Sequence, residues 1–384
     1  MFRIGIVGIG NMGRAHAQYI NNGRIRGAEL TAVCDISPRA LKWAEDELGD
    51  EVKRFSSIEE LLESGCVDGV IIATPHYDHP SLAIQAFDAG LHVLVEKPAG
   101  VYTKQVEEMN QAAQKSGKVF GIMFNQRTNP LYQKVRDLVH SGELGDLKRV
   151  IWIITDWYRS QSYYDSGGWR ATWAGEGGGV LLNQAPHQLD LWQWIFGMPT
   201  RLRAFCHEGK FHNIEVEDDV TAYLEYANGS TGVFITTTGD TPGTNRLEIS
   251  GTRGKLVVEH DELKLWRLRV DERKFNEEYK GGFGEPECWL CDIPTSKEVS
   301  AHPGITQNWV DACLKGTPLL APGEEGINGL TLSNAMYLSS WLDDWVELPI
   351  DADLFYEKLQ EKIASSKFEK KVGDDIVLDV DGTF

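Results

Sequence analysis

Gly8-Ile9-Gly10-Asn11-Met12-Gly13 follows the apolar run Arg3 to Val7 and precedes RAHAQYI, a segment of helical character. Strand, glycine loop and helix in that order constrain the fold more than any other feature of the chain. The first glycine permits a tight turn, the second lets backbone approach a pyrophosphate, and the third lets helix and strand pack closely. Phosphates then rest on the positive end of the helix, where Asn11 and Met12 stand. The next strand, ELTAVCD, ends at Asp35, 22 residues beyond Gly13, where an acidic side chain accepts hydrogen bonds from the adenosine ribose hydroxyls. A carboxylate there repels a 2′-phosphate, so NAD is expected and NADP is disfavoured. Arg39, able to stack on adenine or neutralise such a phosphate, pulls the other way.

The alternation continues through SIEELLES, DGVIIATP, HPSLAIQAFDAG, LHVLVEKP, KQVEEMNQAAQKSG and KVFGIMFNQR. Short apolar strands separated by helices imply a parallel sheet covered on both faces, whose ligands bind outside the carboxyl ends of the strands. Asp35, Thr74, Pro75, Glu96, Lys97 and Asn125 fall at those ends, with His79 just beyond. Lys97 precedes Pro98, which fixes its backbone and allows a cis bond. Beside a positively charged nicotinamide its ammonium would lose its proton more easily, which suits proton transfer; the plain alternative is a solvated lysine at the sheet rim. His79 and His302 also have a purely structural reading.

The stretch GGGVLLNQAPHQLDLWQWIFG, Gly177 to Gly197, sets Asn183 and His187 four residues apart in an apolar run. Asn183 is read as the N-cap of a helix that carries Pro186 in its first turn, runs to Phe196 and stops at Gly197. Leu189, Leu191, Trp192, Trp194 and Phe196 cover both faces, so that helix is buried. His187 at its entrance is either a satisfied core histidine or a site residue. Gly177 to Gly179 are expected to let backbone pass close to cofactor or substrate.

Beyond Asn125 the pattern changes. RVIWIITDWY, RLRAFC, DDVTAYLEY, TGVFITTT, NRLEIS and KLVVE have strand character, and Asn228-Gly229 marks a hairpin. Residues Gln307 to Leu342 read as helical, and the tail after Ser365 as a surface extension ending in a strand-like piece. Between Trp157 and Trp173, Tyr158, Tyr163, Tyr164 and Trp169 alternate with Arg159, Asp165 and Arg170. Aromatic faces that stack on sugar rings, with polar groups for hydroxyls, would make this a substrate wall; a core or a subunit interface uses the same residues.

A chain of 384 residues exceeds one ordinary core, so two domains are expected, 1–125 and 126–384. A net charge of −19 disfavours nucleic acid and anionic membranes as partners. No apolar run suits a secretory leader or a membrane span, so a cytoplasmic location is expected. The 6 cysteines are scattered, with Cys288 and Cys291 in a lone C-x-x-C, and no metal is expected.

Gly8, Gly10 and Gly13, then Glu96-Lys97-Pro98, then GGGVLLNQAPHQLD together resemble the Gfo/Idh/MocA family, that of glucose-fructose oxidoreductase and inositol dehydrogenase. The resemblance spans nearly the whole chain, with the motifs in the family's order and spacing. It implies an α/β architecture, an N-terminal Rossmann doubly wound sheet followed by an α/β domain on an open, mostly antiparallel sheet. The free face of that sheet implies a homodimer or homotetramer. The family's proton-handling roles then fall to Lys97 and His187 on a carbohydrate substrate; Asn125, Tyr158, Tyr163, Trp169, Arg170 and Asn183 are the candidate substrate-binding residues, the aromatic segment among them on the residue pattern above. Many members carry Asp where this chain has Asn183, and an amide is no carboxylate base, so Asn183 is assigned to hydrogen bonding or capping. The implied activity is NAD-dependent oxidoreduction of a sugar, glycoside or inositol. An NAD-dependent glycosidase and a non-catalytic dinucleotide sensor are the alternatives.

Overall fold

The structure is a computed structural model that describes residues 1–370; the strand-like end read at 371–384 lies outside the described residues. The chain begins with β1 (Phe2–Val7), α1 (Asn11–Asn21), β2 (Ala28–Cys34), α2 (Pro38–Leu48), β3 (Lys53–Phe55) and α3 (Ile58–Glu63). It continues with β4 (Gly69–Ile72), α4 (Asp78–Asp88), β5 (His92–Val95), α5 (Thr103–Ser116) and β6 (Phe120–Ile122). After α6 (Pro130–His140) come β7 (Leu147–Ile154), α7 (Gln161–Asp165), α8 (Pro186–Phe196), β8 (Arg201–Glu208) and β9 (Glu217–Glu225). Then follow β10 (Thr231–Thr237), β11 (Asn245–Gly251), β12 (Gly254–Glu259), β13 (Glu262–Leu268), α9 (Glu272–Glu278) and β14 (Cys288–Asp292). The last elements are α10 (Ala301–Lys315), α11 (Gly326–Leu342), β15 (Val346–Glu347) and α12 (Ala352–Ser365).

Among the described residues the strands form two sheets. The first is parallel in the order β3-β2-β1-β4-β5-β6. Ile4, Ile6, Val70, Ile71, Ile72, Val93, Leu94 and Val95 are all fully buried, as strands covered on both faces require. The order reverses between β1 and β4, so the glycine loop after β1 opens into the crevice where such sheets take ligands.

The second sheet runs β14-β13-β12-β11-β7-β10-β9-β8-β15, with β7 and β10 parallel and the other neighbours antiparallel. The hairpin at Asn228-Gly229 joins β9 to β10, with Gly229 at φ +82°. One face is covered by α8 and α11, and alternation is regular: in β9, Val220, Ala222 and Leu224 are buried between exposed Thr221 and Tyr223. Phe205 and Tyr223 leave the opposite face with exposed aromatic rings. Helix α8 seats closely because Gly232 lacks a side chain; a Cβ there would lie 2.6 Å from the Trp192 ring. The Trp192 indole N–H donates to the Tyr226 hydroxyl at 2.7 Å, which sets the rotation of the helix.

The chain returns to the first sheet after residue 300. Trp309 of α10 packs edge-on against Phe2 with ring centroids 5.4 Å apart, and the Ile122 N–H donates to the Ala321 carbonyl at 3.1 Å. The stretch expected as one helical region, 307–342, is therefore two helices serving different sheets. Among the described residues no helix is long and apolar enough to cross a membrane.

Candidate active site

The glycine loop has the shape its spacing implies. Gly8 turns with φ +92°, a region that side chains disfavour, and a Cβ on Gly13 would stand 1.8 Å from the Gly8 carbonyl oxygen. A Cβ on Gly10 meets nothing within 4 Å, so hydrogen at this position keeps an open cradle at the start of α1. No side chain caps that helix, leaving Asn11 and Met12 with first-turn N–H groups directed at the cradle. Asp35 accepts the Ile9 N–H at 2.6 Å and the Ser37 N–H at 2.7 Å, which pins the end of β2 to the loop and leaves lone pairs for further donors. These features fit a dinucleotide. Arg39 shares this end of the sheet with Arg14, which sequence reading missed; burial and the Arg39 charge lower the Arg14 pKa, partly offset by Asp35.

Lys97 follows β5 on a cis Lys97-Pro98 bond. Its neighbour Glu96 is buried, takes His16 Nε2 at 2.7 Å and accepts the Lys97 backbone N–H at 3.1 Å. Burial pushes the Glu96 carboxyl upward, but the His16 contact, His302 and Lys97 outweigh it and hold it at about 2. Glu96 thus braces the loop beneath Lys97 instead of opening onto the cofactor cradle. Burial lowers the Lys97 pKa; Glu96 and Glu176 oppose that shift, and Arg170 and Arg159 add to it. Asn125 and His302 approach with Nδ2 and Nδ1 3.5 Å apart, and the His302 ring lies 5.8 Å from that of His16.

The Lys97 ammonium reaches across the chain to donate to the Asn183 carbonyl at 2.9 Å. Asn183 is not the helix cap that local preference indicates: α8 starts at Pro186 with Ala185 before it, and the Asn183 side-chain amide donates instead to the Glu176 carboxylate. That bond spans seven residues and overrides the local option. His187, in the first turn of α8, is buried; burial, then the Lys97 and His302 charges, hold its imidazole well below the usual histidine range. Lys97 therefore touches the segment that leads into α8, and its charge is felt by His187 in the first turn of that helix.

The aromatic segment contributes unevenly. The Tyr163 hydroxyl receives Arg170 Nη1 at 2.9 Å and Gln184 Nε2 at 3.1 Å and faces Asn183 Oδ1 at 3.4 Å. Burial raises its pKa, so it stays a neutral phenol. Arg170 also lies 4.7 Å from the Tyr163 ring centroid and 4.6 Å from that of Trp169. Trp169 meets the His76 ring at 5.6 Å, His76 Nδ1 lies 3.3 Å from the Glu176 carbonyl, and the Tyr77 hydroxyl donates to the Trp173 carbonyl at 2.7 Å. The loop after β4, with Thr74 and Pro75 at its start, thus grips the segment.

Three expectations need correction. Tyr158 is 48% exposed and only its carbonyl is engaged, by Arg159 at 3.0 Å, so it is not part of the wall. His79 is buried with its nitrogens 2.8 Å from the Pro98 and Thr74 carbonyls; it holds the loops together and has no group left for a cofactor. Gly177, Gly178 and Gly179 serve internal packing: added Cβ atoms would strike Val101, the Tyr337 hydroxyl and the Glu217 carbonyl at 2.3, 2.2 and 1.9 Å. Glu217 in turn accepts the Gly179 and Leu181 N–H groups, each at 2.9 Å, and the Tyr337 hydroxyl at 2.7 Å. Glu176, His16, Gln184 and Glu217 escaped sequence reading. An acid directly before three glycines was the available signal for Glu176.

Among the described residues no group of three or more His, Cys, Asp or Glu side chains is arranged to hold a metal ion. Residues 2–124 match the model of an oxidoreductase family with an NAD-binding Rossmann fold, and residues 132–257 match that of the GFO/IDH/MocA C-terminal domain. An inositol 2-dehydrogenase of Corynebacterium glutamicum strain R is 36% identical over 362 residues, 91% of this chain and 96% of the relative. A levoglucosan dehydrogenase of Pseudarthrobacter phenanthrenivorans is 24% identical over 399 aligned positions, 90% of this chain and 98% of the relative. The WlbA dehydrogenase of Chromobacterium violaceum, solved with NADH and UDP-GlcNAcA, superposes with a TM-score of 0.78 at 30% identity over 91% of this chain and 96% of that one. Glycine loop, Lys97 and α8 all lie within these matches, and the chain belongs to the Gfo/Idh/MocA family of oxidoreductases.

Proposed function

We propose that this chain is an NAD-dependent dehydrogenase acting on a secondary hydroxyl or ketone of a sugar, glycoside or inositol, with Lys97 and His187 managing the hydroxyl proton. The observation that carries this reading is the 2.9 Å bond from Lys97 to the Asn183 carbonyl, which brings the amine to the segment that leads into α8, four residues before His187. The nicotinamide, when bound, supplies the hydride acceptor in one direction and the donor in the other. Gly8, Gly10, Asn11, Met12 and Gly13 would hold its pyrophosphate, and Asp35 the adenosine ribose, which favours NAD over NADP. A neutral Lys97 amine accepts the alcohol proton, and its ammonium returns it in reduction. His187 stays neutral near neutral pH and offers a second nitrogen to the same hydroxyl. Asn183 cannot be the base, because an amide takes up no proton near neutral pH; its Nδ2 donates to Glu176 and its Oδ1 accepts from Tyr163. Tyr163, Gln184, Arg170 and Trp169 supply donors and a flat face for the remaining hydroxyls and the ring.

Residues 1–125 form the coenzyme unit in this reading and 126–384 the substrate unit, with α10 bracing the first. The face carrying Phe205 and Tyr223 is the one through which two or four copies would associate. The test is a panel of inositols, pyranoses and glycosides incubated with NAD or NADP and followed by the absorbance of the reduced nicotinamide. Turnover of a panel compound with NAD supports the reading. Release of aglycone without net reduced coenzyme would instead identify a glycosidase, and no reaction with any compound would favour a binding protein.

A further inference from the structure

Glu176 is 2% exposed and lies one residue before the glycines that lead to Asn183. Its carboxylate accepts the Ala171 N–H at 2.5 Å and the Asn183 side-chain amide. A carboxylate only accepts, so it fixes which way that amide points: Nδ2 toward Glu176, Oδ1 toward the Tyr163 hydroxyl 3.4 Å away. The Asn183 carbonyl meanwhile takes Lys97 Nζ. One residue thereby connects the amine, the phenol and a buried acid.

We infer that Glu176 is a positioning residue of the reaction centre, its carboxylate orienting the Asn183 amide and supplying the negative charge that Lys97 faces from the substrate side. The inference rests on the dehydrogenase reading for its kinetic consequence but not for its electrostatic one. The charged groups around Lys97 are Glu96 from its own loop, Glu176 and Arg170 from the segment before α8, and Arg159 from the segment after β7. His187, His76 and His302 sense the Lys97 charge and are held neutral by burial. Burial raises the Glu176 carboxyl above its ordinary value, while Arg170, the Ala171 N–H, the Asn183 amide and Lys370 oppose that shift and favour the carboxylate. Of the two carboxylates that favour the Lys97 ammonium, Glu96 is committed to His16 and to backbone, which leaves Glu176 as the acid tied to substrate-side residues. Removing its charge destabilises the ammonium and ends the constraint on which way the Asn183 amide points, since a glutamine amide donates as well as accepts.

The experiment exchanges amide and acid. Glu176→Gln, Asn183→Asp, their double variant and Glu176→Asp are compared with the unaltered protein, with melting temperatures as a control on folding. Lys97 is labelled by acetic anhydride in coenzyme-free protein across a pH series and quantified by mass spectrometry; the midpoint reports the amine's protonation. Glu176→Gln moves that midpoint down, because one stabilising charge is lost. Asn183→Asp leaves it nearly in place, because two buried carboxyls in contact share one proton and together carry one charge. Glu176→Asp, which keeps the charge but withdraws it from the Asn183 amide, carries the test should Glu176→Gln fail to fold, and lowers kcat/KM with little movement of the midpoint. In the double variant the glutamine amide at position 176 donates to the carboxylate introduced at position 183, and the midpoint returns toward that of the unaltered protein. On any panel compound that is turned over, Glu176→Gln lowers kcat/KM about 10- to 100-fold, the range for losing a hydrogen bond to a charged group, and the double variant regains most of it. A midpoint that stays put in folded Glu176→Gln, unimpaired turnover in Glu176→Asp, or a double variant as impaired as the product of the singles, overturns the inference. Failure of the dehydrogenase reading looks different: no compound is turned over, yet the Glu176→Gln midpoint still shifts.

Discussion

Lys97 and Asn183 are 86 residues apart and are joined by a hydrogen bond of 2.9 Å between an ammonium and a backbone carbonyl. Few contacts fix the two halves of the site relative to each other so directly. The bond gives one Lys97 proton a permanent acceptor, and burial lowers the pKa from its ordinary 10.5. Alcohol oxidation needs the neutral amine, so kcat/KM rises with pH with a midpoint below that of an ordinary lysine. Lys97→Arg removes the rise, since a guanidinium keeps its proton throughout. Steady-state rates over a pH series check this; a midpoint unchanged in the arginine variant assigns the titration to another group.

The coenzyme cradle makes an independent prediction. Gly10 has extended backbone, φ −78° and ψ −161°, and a Cβ there meets nothing within 4 Å. Gly10→Ala therefore folds with stability changed by about 0.5 kcal/mol or less, while NAD binding weakens about tenfold or more because the methyl occupies the approach of the pyrophosphate. Melting temperature and coenzyme titration separate the two effects. Unchanged NAD affinity would mean that the dinucleotide does not pass this glycine.

Helix α8 is anchored from below by a buried ion pair. Arg127 Nη2 and Nε reach the two Asp190 oxygens at 2.6 and 2.9 Å, with both side chains 1% exposed. Arg127→Met leaves Asp190 as an unpaired buried charge and costs about 3–5 kcal/mol of stability, measured by denaturant unfolding. A loss below about 1 kcal/mol would place the anchoring of α8 in its packing alone.

Glu217 couples the stability of the site loop to pH. Burial raises its carboxyl from 4.5 to about 8, against the opposing hydrogen bonds of Leu181, Tyr337 and Gly179. The folded protein therefore keeps a proton that the unfolded chain releases, and this group makes stability fall as pH rises from 4.5 to about 8. Glu217→Gln cannot release that proton. The stability difference between variant and unaltered protein should move in the variant's favour across this window in unfolding curves, and a difference flat with pH would show that Glu217 is ionised throughout.

How much of this was readable beforehand depended on sequence distance. Gly8, Gly10, Gly13 and Asp35 work by local spacing within one strand-loop-helix-strand unit, so their positions could be read directly. The place of Lys97 just beyond β5 was readable because a short apolar run marks a buried parallel strand, at whose carboxyl end such sheets take ligands. Asn183 was misread because its capping preference is local, whereas its actual acceptor, Glu176, belongs to an irregular segment with no periodicity. His16 meets Glu96 across 80 residues, and Glu217 meets the Gly179 N–H across 38. Neither pairing leaves a mark in the sequence. The strand β14 was missed for another reason: four of its five residues are exposed, so no apolar alternation marks it. Helix α12 has a recognisable start, since Asp351 accepts the Asp353 and Leu354 N–H groups, each at 3.0 Å, but it buries only Phe355 and Leu359.

The central claim is that Lys97 and His187 act together on one hydroxyl proton. The most direct measurement is kcat of Lys97→Ala and His187→Ala on a panel compound that the unaltered protein oxidises, alongside the NAD dissociation constant of each. Both variants are expected to lose about 10²- to 10⁴-fold in kcat while binding NAD nearly as before. Turnover close to that of the unaltered protein in either variant, with coenzyme binding intact, would contradict the account.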